Sequence, residues 1–205
     1  MSNLVRIDEL ILSTHQHGSL SLADECYYLL EYTAHQPPGY SRGNDLILDL
    51  KKSVSKKALR EWRYKERAIG EIAGLLRAAL PPVVDFDKTT LIPIPPSRTR
   101  TDPFYDDRNL RILRQACPEG ADIRELILTR ANVVPSHERV DRPSAGEILK
   151  NYMLHPDVSA EVRETVVLFD DMITGGNHFV ASKKFVENHC HSKKTIGIFI
   201  ARRIL

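Results

Sequence analysis

Two hydrophobic rhythms alternate along the chain. Leu59, Trp62, Ile69, Ile72, Leu75, Leu76 and Leu80 recur at helical spacing with Lys, Arg and Glu between them. This predicts an amphipathic helix over residues 57–80, stopped by Pro81 and Pro82. Elsewhere the apolar residues form short runs bounded by turn formers: residues 91–94 (LIPI), 123–129 (IRELILT), 166–169 (VVLF) and 195–201 (TIGIFIA). Runs apolar on both faces are expected of strands inside a parallel sheet. Pro93 forfeits one ladder hydrogen bond, so its strand is expected to lie partly at an edge or to change direction there. Helical patterns separate the runs. Leu110, Leu113 and Ala116 mark one, closed by Cys117-Pro-Glu-Gly120; residues 143–153 read as a short helix; Phe179, Val180, Phe185 and Val186 mark another. Helix and strand in alternation predict an α/β protein with a parallel sheet and helices on both faces.

Residues 1–57 read as an N-terminal elaboration beside an α/β domain of residues 58–205. Ser21 to Asp24 is similar to a capping box, with Asp in place of Glu or Gln, and predicts a helix through Cys26, Leu29 and Leu30 toward Thr33. The sequence HQPPG at residues 35–39 ends it. Residues 46–50, LILDL, fit either a strand or a helical turn.

Composition narrows the function classes. A net charge of +2 over 205 residues implies no strongly charged partner. Lys51, Lys52, Lys56, Lys57, Arg60 and Arg63 form a basic run that reads as a solvated face; with no aromatic ladder beside it, nucleic-acid binding is not expected. No apolar run has the length of a membrane span. The first residues carry Asp8 and Glu9 and lack the apolar core of a secretory signal. Three widely spaced cysteines, Cys26, Cys117 and Cys190, make neither a disulfide framework nor a zinc pattern, and a cytoplasmic protein is expected. The run His189-Cys190-His191 reads as a helix end, because adjacent residues point different ways. Nothing in the sequence excludes a homodimer or a protein partner.

The chemistry concentrates in residues 166–178, VVLFDDMITGGNH. A buried strand leads into Asp170 and Asp171, then into a Thr174-Gly175-Gly176-Asn177 turn that opens a helix. Backbone N–H groups at a helix N-terminus favour a phosphate. Two carboxylates beside them can accept hydrogen bonds from a sugar diol or help hold hydrated Mg²⁺. A phosphorylated sugar suits the combination.

This stretch resembles the 5-phosphoribosyl 1-pyrophosphate (PRPP) binding motif of type I phosphoribosyltransferases: four apolar residues, two acidic, two apolar, then a Thr/Ser- and Gly-rich loop. Gly175 and His178 stand where that loop commonly has hydroxyl residues. A second likeness lies at residues 91–98, LIPIPPSR. Pro-x-Pro at a strand end, an arginine-bearing loop and a helix are similar to the competence-protein F (ComF-like) branch, without its N-terminal zinc finger. The resemblance implies a Rossmann-like core with an N-terminal hood. It implies that Asp170 and Asp171 hold the ribose hydroxyls, directly or through Mg²⁺. Thr174, Gly175, Gly176, Asn177 and His178 would hold the 5′-phosphate, and Pro96, Ser97 and Arg98 the pyrophosphate. Residues 130–144 correspond to a mobile loop that closes over PRPP; Arg130, His137, Arg139 and Arg142 lie in it, and Arg130 and Arg139 are candidate pyrophosphate contacts. The implied activity is phosphoribosyl transfer to a nitrogenous base with release of pyrophosphate. In 6-oxopurine enzymes of the family an Asp often stands three residues past the second acidic one; here that residue is Thr174, which leans away from such an acceptor. The alternatives are a silent module on the same fold that binds PRPP or a nucleotide as a regulator, and hydrolysis with water as acceptor.

Overall fold

The structure, a computed structural model, describes residues 3–14, 16–133 and 143–205. Its strands are β1 (Val5–Arg6), β2 (Glu25–Thr33), β3 (Thr89–Pro93), β4 (Asp122–Ile123), β5 (Ile127–Thr129), β6 (Tyr152–Leu154), β7 (Thr165–Ile173) and β8 (Lys194–Ile204). Its helices are α1 (Glu9–Leu12), α2 (Arg42–Leu50), α3 (Trp62–Ala79), α4 (Arg108–Ala116), α5 (Ala145–Lys150) and α6 (Asn177–His189). The main sheet has the order β1-β2-β8-β7-β3-β4. All of its pairings are parallel except β1 with β2. β5 and β6 form a separate antiparallel ribbon.

Alternation along β7 feeds two hydrophobic layers. Val167 and Phe169 pack with Ile47 and Leu50 of α2, Ile69, Ile72 and Leu76 of α3, and Ile112 and Leu113 of α4. Val166 and Leu168 face the other way, toward Ile148 of α5 and Phe179, Phe185 and Val186 of α6. The protein is thus α/β, with a mostly parallel central sheet covered on both faces. Among the described residues, no helix is long and apolar enough to cross a membrane.

Several expectations are corrected. Residues 25–33 are a strand, not a helix. Tyr27, Tyr28, Tyr32 and Thr33 suit a pleated surface, and β2 pairs with β8 from Glu25↔Ile196 to Thr33↔Ile204. The cap-like Ser21 and Asp24 make a turn instead: the Ser21 N–H donates to Asp24 Oδ2 at 2.9 Å, and the Asp24 N–H to the Ser21 carbonyl at 3.0 Å. Because β2 is hydrogen-bonded to β8 and α2 packs in the core, residues 1–57 and 58–205 share one sheet. The ambiguous segment 46–50 lies in α2, which starts at Ser41, whose side chain accepts from the Asn44 N–H. The strand expected over 123–129 is broken. Residues 122–123 end the main sheet, and 127–129 join the ribbon. Between them the Arg124 side chain turns to the Ser159 and Glu161 carbonyls. Pro93 pairs with Phe169 of β7, but β4 pairs only with Thr90 and Leu91, so the missing N–H falls where the β4 side is open.

The connections define a crevice. From β3 the chain passes through α4 and outward to β4; from β7 it passes through α6, on the opposite face, and outward to β8. Between β3 and β7 the strand order therefore reverses. Ligands of open α/β sheets bind outside the carboxyl ends of the strands at such a point.

Candidate functional site

At that crevice β7 does not stop where the acidic pair begins. It runs on to Ile173, with Asp170 opposite Phe199 of β8. Successive residues of a strand face opposite sides, so the two adjacent carboxylates have separate surroundings.

Asp171 turns into the layer of α2 and α4 and is buried, only 4 % exposed. Asp171 is thus withdrawn from the crevice, although the sequence places the two carboxylates together beside the glycine loop. Arg108, in the first turn of α4, donates to Asp171 Oδ2 from Nε at 2.9 Å and from Nη2. Lys51, just past α2, places Nζ 3.3 Å from Oδ1. Arg108 also donates to Asp106 Oδ2 at 2.6 Å. Asp106 in turn accepts from the wholly buried Lys65 at 2.6 Å, and Lys65 caps the Lys52 carbonyl at 2.9 Å. Buried charges require such partners. Burial raises the Asp171 pKa, but Lys51 and Arg108 outweigh it and hold the carboxyl well below the usual carboxylate range.

Asp170 faces the crevice. Its Oδ1 accepts from Asn109 Nδ2 at 3.0 Å and from the Asp171 N–H at 2.8 Å. Desolvation and the neighbouring Asp171 charge push its pKa up to about 7. Two cavities meet at this side chain. One is lined by Pro143, Ile148 and the loop Thr174 to His178. The other lies between Pro95, Pro96, Tyr105, the start of α4 and Glu125.

The glycine loop turns tightly into α6. Gly176, at the N-terminus of α6, has φ 93°, and a Cβ there would stand 3.0 Å from Leu20. Among the described residues, the N–H groups of Gly175, Gly176, Asn177 and His178 meet no backbone acceptor. The Thr174 carbonyl is bound by His17 Nδ1, and the Gly175 carbonyl accepts the Ser19 N–H at 3.0 Å. The Asn177 side chain is structural: it accepts from Ser19 Oγ and donates to the Pro143 carbonyl at 2.8 Å. His178 lies 3.4 Å from the Tyr152 hydroxyl, and burial lowers its pKa.

The remaining sequence candidates are dispersed. Pro96 lines the second cavity and takes a hydrogen bond from Thr129 on its carbonyl. The Ser97 carbonyl accepts from the Val133 N–H at 2.9 Å. Arg98 pairs with Asp102 at 3.1 Å and lies over the Phe104 ring. Arg130 donates to the Tyr152 carbonyl at 2.8 Å. Neither Ser97, Arg98 nor Arg130 lines either cavity. Arg139, His137 and Arg142 lie outside the described residues.

The sequence reading missed Lys51, Lys65, Asp106, Arg108 and Asn109. Lys65 left one signal: it occupies an apolar position in the 62, 65, 69, 72, 76 row of α3. The others come together only through the sheet order. The acidic pair does not fit direct ligation of Mg²⁺, because both Asp171 oxygens are already bound to cations. Among the described residues, no group of three or more His, Cys, Asp or Glu stands where it could hold a metal.

No protein-family model matches the chain, and no curated protein matches it; the reading of the crevice rests on its own geometry and on the motif at residues 166–178.

Proposed function

We propose that the crevice binds a phosphorylated ribose and that the protein is a PRPP-dependent phosphoribosyltransferase of the type I fold. One observation carries the reading: the end of β7, the glycine loop, whose N–H groups meet no backbone acceptor among the described residues, and the start of α6 line one cavity, which shares Asp170 with the cavity at the point where the strand order reverses. The 5′-phosphate would sit on the amides of Gly175 to His178, favoured by the partial positive charge of α6. Asp170 would accept hydrogen bonds from the ribose hydroxyls. Asp171, neutralised by Arg108 and Lys51, would hold the strand end in place rather than touch the sugar. The second cavity would admit the acceptor. Its Asp107 carboxylate suits a ligand that donates N–H better than it suits pyrophosphate, while Glu125 accepts from the Tyr105 hydroxyl at 2.8 Å and pairs with Arg100. To take pyrophosphate, Arg98 would have to leave Asp102. In the reaction the acceptor nitrogen forms the bond to the anomeric carbon as the carbon–oxygen bond to pyrophosphate breaks, the electron pair of that bond leaving with the pyrophosphate and the proton of an N–H acceptor passing to the pyrophosphate or to the Asp107 carboxylate. No step is routed through Mg²⁺.

A second reading, a module that binds PRPP or a nucleotide without turnover, draws on a specific observation. Asp171 is fully committed to cations, and the loop keeps a single hydroxyl residue, Thr174. Pyrophosphate release from PRPP, measured with a panel of purine and pyrimidine bases, tests both. Release that requires a base supports transfer, and release without one means hydrolysis. Binding with no release supports the silent module, and no binding removes the phosphoribosyl reading.

A further inference from the structure

The N-terminal segment binds the glycine loop through residues that do not line the cavity. His17 is 1 % exposed, and its Nδ1 bonds the Thr174 carbonyl. A carbonyl can only accept, so Nδ1 carries the proton. Burial lowers the His17 pKa, and Nε2 is buried with no hydrogen-bond partner among the described residues. Two residues on, the Ser19 N–H holds the Gly175 carbonyl, and Leu20 packs beneath Gly176. None of these residues lines the cavity.

A trans peptide unit is planar, and its C=O and N–H point in opposite directions. Tying the Thr174 carbonyl to His17 therefore turns the Gly175 N–H away from the N-terminal segment, and tying the Gly175 carbonyl to Ser19 does the same for the Gly176 N–H. The clamps matter because of the glycines. A Cβ on Gly175 would meet nothing within 4 Å, and glycine flanks permit a peptide flip that other residues resist. A flipped unit would present a carbonyl to the phosphate in place of a donor.

We infer that His17 and the Ser19 backbone amide are positioning groups for the phosphate cradle, fixing the two peptide planes whose N–H groups receive a phosphate monoester. This rests on the phosphorylated-ribose reading above. It also gives the N-terminal segment a role in the site, although none of its described residues lines the cavity.

The test is calorimetric binding of ribose 5-phosphate to the full-length wild type, His17→Asn and His17→Leu, with thermal unfolding of each. Asparagine can place its amide nitrogen near the Nδ1 position and donate; leucine cannot. His17→Leu is expected to lose roughly ten-fold or more in affinity, the order of one hydrogen bond lost from the cradle, while His17→Asn stays within about three-fold of wild type. Equal affinity in all three, with binding present, overturns the clamp and leaves the ribose reading standing. No binding by wild type overturns both. Amide NMR of the wild type supplies a readout that needs no variant to fold. Ribose 5-phosphate is expected to shift the Gly175 and Gly176 amide protons downfield, and binding that leaves both unmoved contradicts the assignment.

Discussion

Asp170 and Asp171 are neighbours in sequence, yet the same isosteric change should act on them in opposite ways. Asp171→Asn removes the counter-charge of Arg108 and Lys51 inside the protein. Breaking a buried ion pair from one side costs about 3–5 kcal/mol. Here Arg108 keeps Asp106, and the Lys51 side chain is 31 % exposed and so can be hydrated. The expected loss is therefore lower, about 2–3 kcal/mol, or about 4–12 °C in Tm for a chain of this size. Asp170→Asn keeps an oxygen for Asn109 and for the Asp171 N–H, and removes a desolvated carboxylate that repels Asp171. It should cost nothing near neutral pH.

The pH dependence fixes the sign. Asp170 holds its proton in the fold up to about 7, whereas in the unfolded chain it ionises near about 4. Its contribution to wild-type stability therefore falls as pH rises from about 4 to about 7. Asp170→Asn lacks that fall and should gain on wild type through this window, then hold level. The Asp171 shift runs the other way: its contribution is present above the unfolded pKa and lost in more acidic solution, so the Asp171→Asn deficit should shrink there. Urea unfolding of the three proteins at about pH 5.5 and about pH 8 reads the Asp170 effect, and a further measurement at about pH 3 reads the Asp171 effect. Equal losses in the two variants, or no loss in Asp171→Asn at the higher pH, would refute the opposed environments assigned to the pair.

Two further predictions concern the cradle and the buried charge chain. Gly176→Val places a β-branched side chain at φ 93° and 3.0 Å from Leu20; the expected cost is about 1–3 kcal/mol by thermal unfolding, with ribose 5-phosphate binding lost, and full binding by a folded variant would count against the loop as the cradle. Asp106→Ala strands the wholly buried Lys65 and should destabilise by about 3–5 kcal/mol, whereas Lys65→Met leaves Asp106 with Arg108 and should stay within about 2 kcal/mol of wild type; the reverse order in chemical denaturation would contradict the pairing of Lys65 with Asp106.

What the sequence disclosed followed the range of the interactions involved. α3, α4, α6, β3, β7 and β8 were legible because each is dictated by its own periodicity and its own stop signals. β2 was misread because Ser21 and Asp24 mimic a helix start, and only the distant β8 makes residues 25–33 a strand. The glycine loop could be read, since its φ > 0 requirement is local to Gly176. The separation of Asp170 from Asp171 could not, because it depends on Arg108, Lys51 and Asn109, which arrive from two helices that meet β7 only after the sheet is ordered. His17 was invisible for the same reason: its partner, Thr174, lies far along the chain, and a lone histidine carries no spacing signal.

The central claim is that the crevice binds a phosphoribosyl group through Asp170 and the glycine loop. Calorimetric titration of PRPP into wild type and Asp170→Asn tests it most directly, since that variant is expected to keep its fold. The account predicts saturable binding by wild type and loss of most of that affinity in Asp170→Asn, at a Tm no lower than that of wild type. Absence of PRPP binding by wild type, or equal binding by the variant, would contradict it.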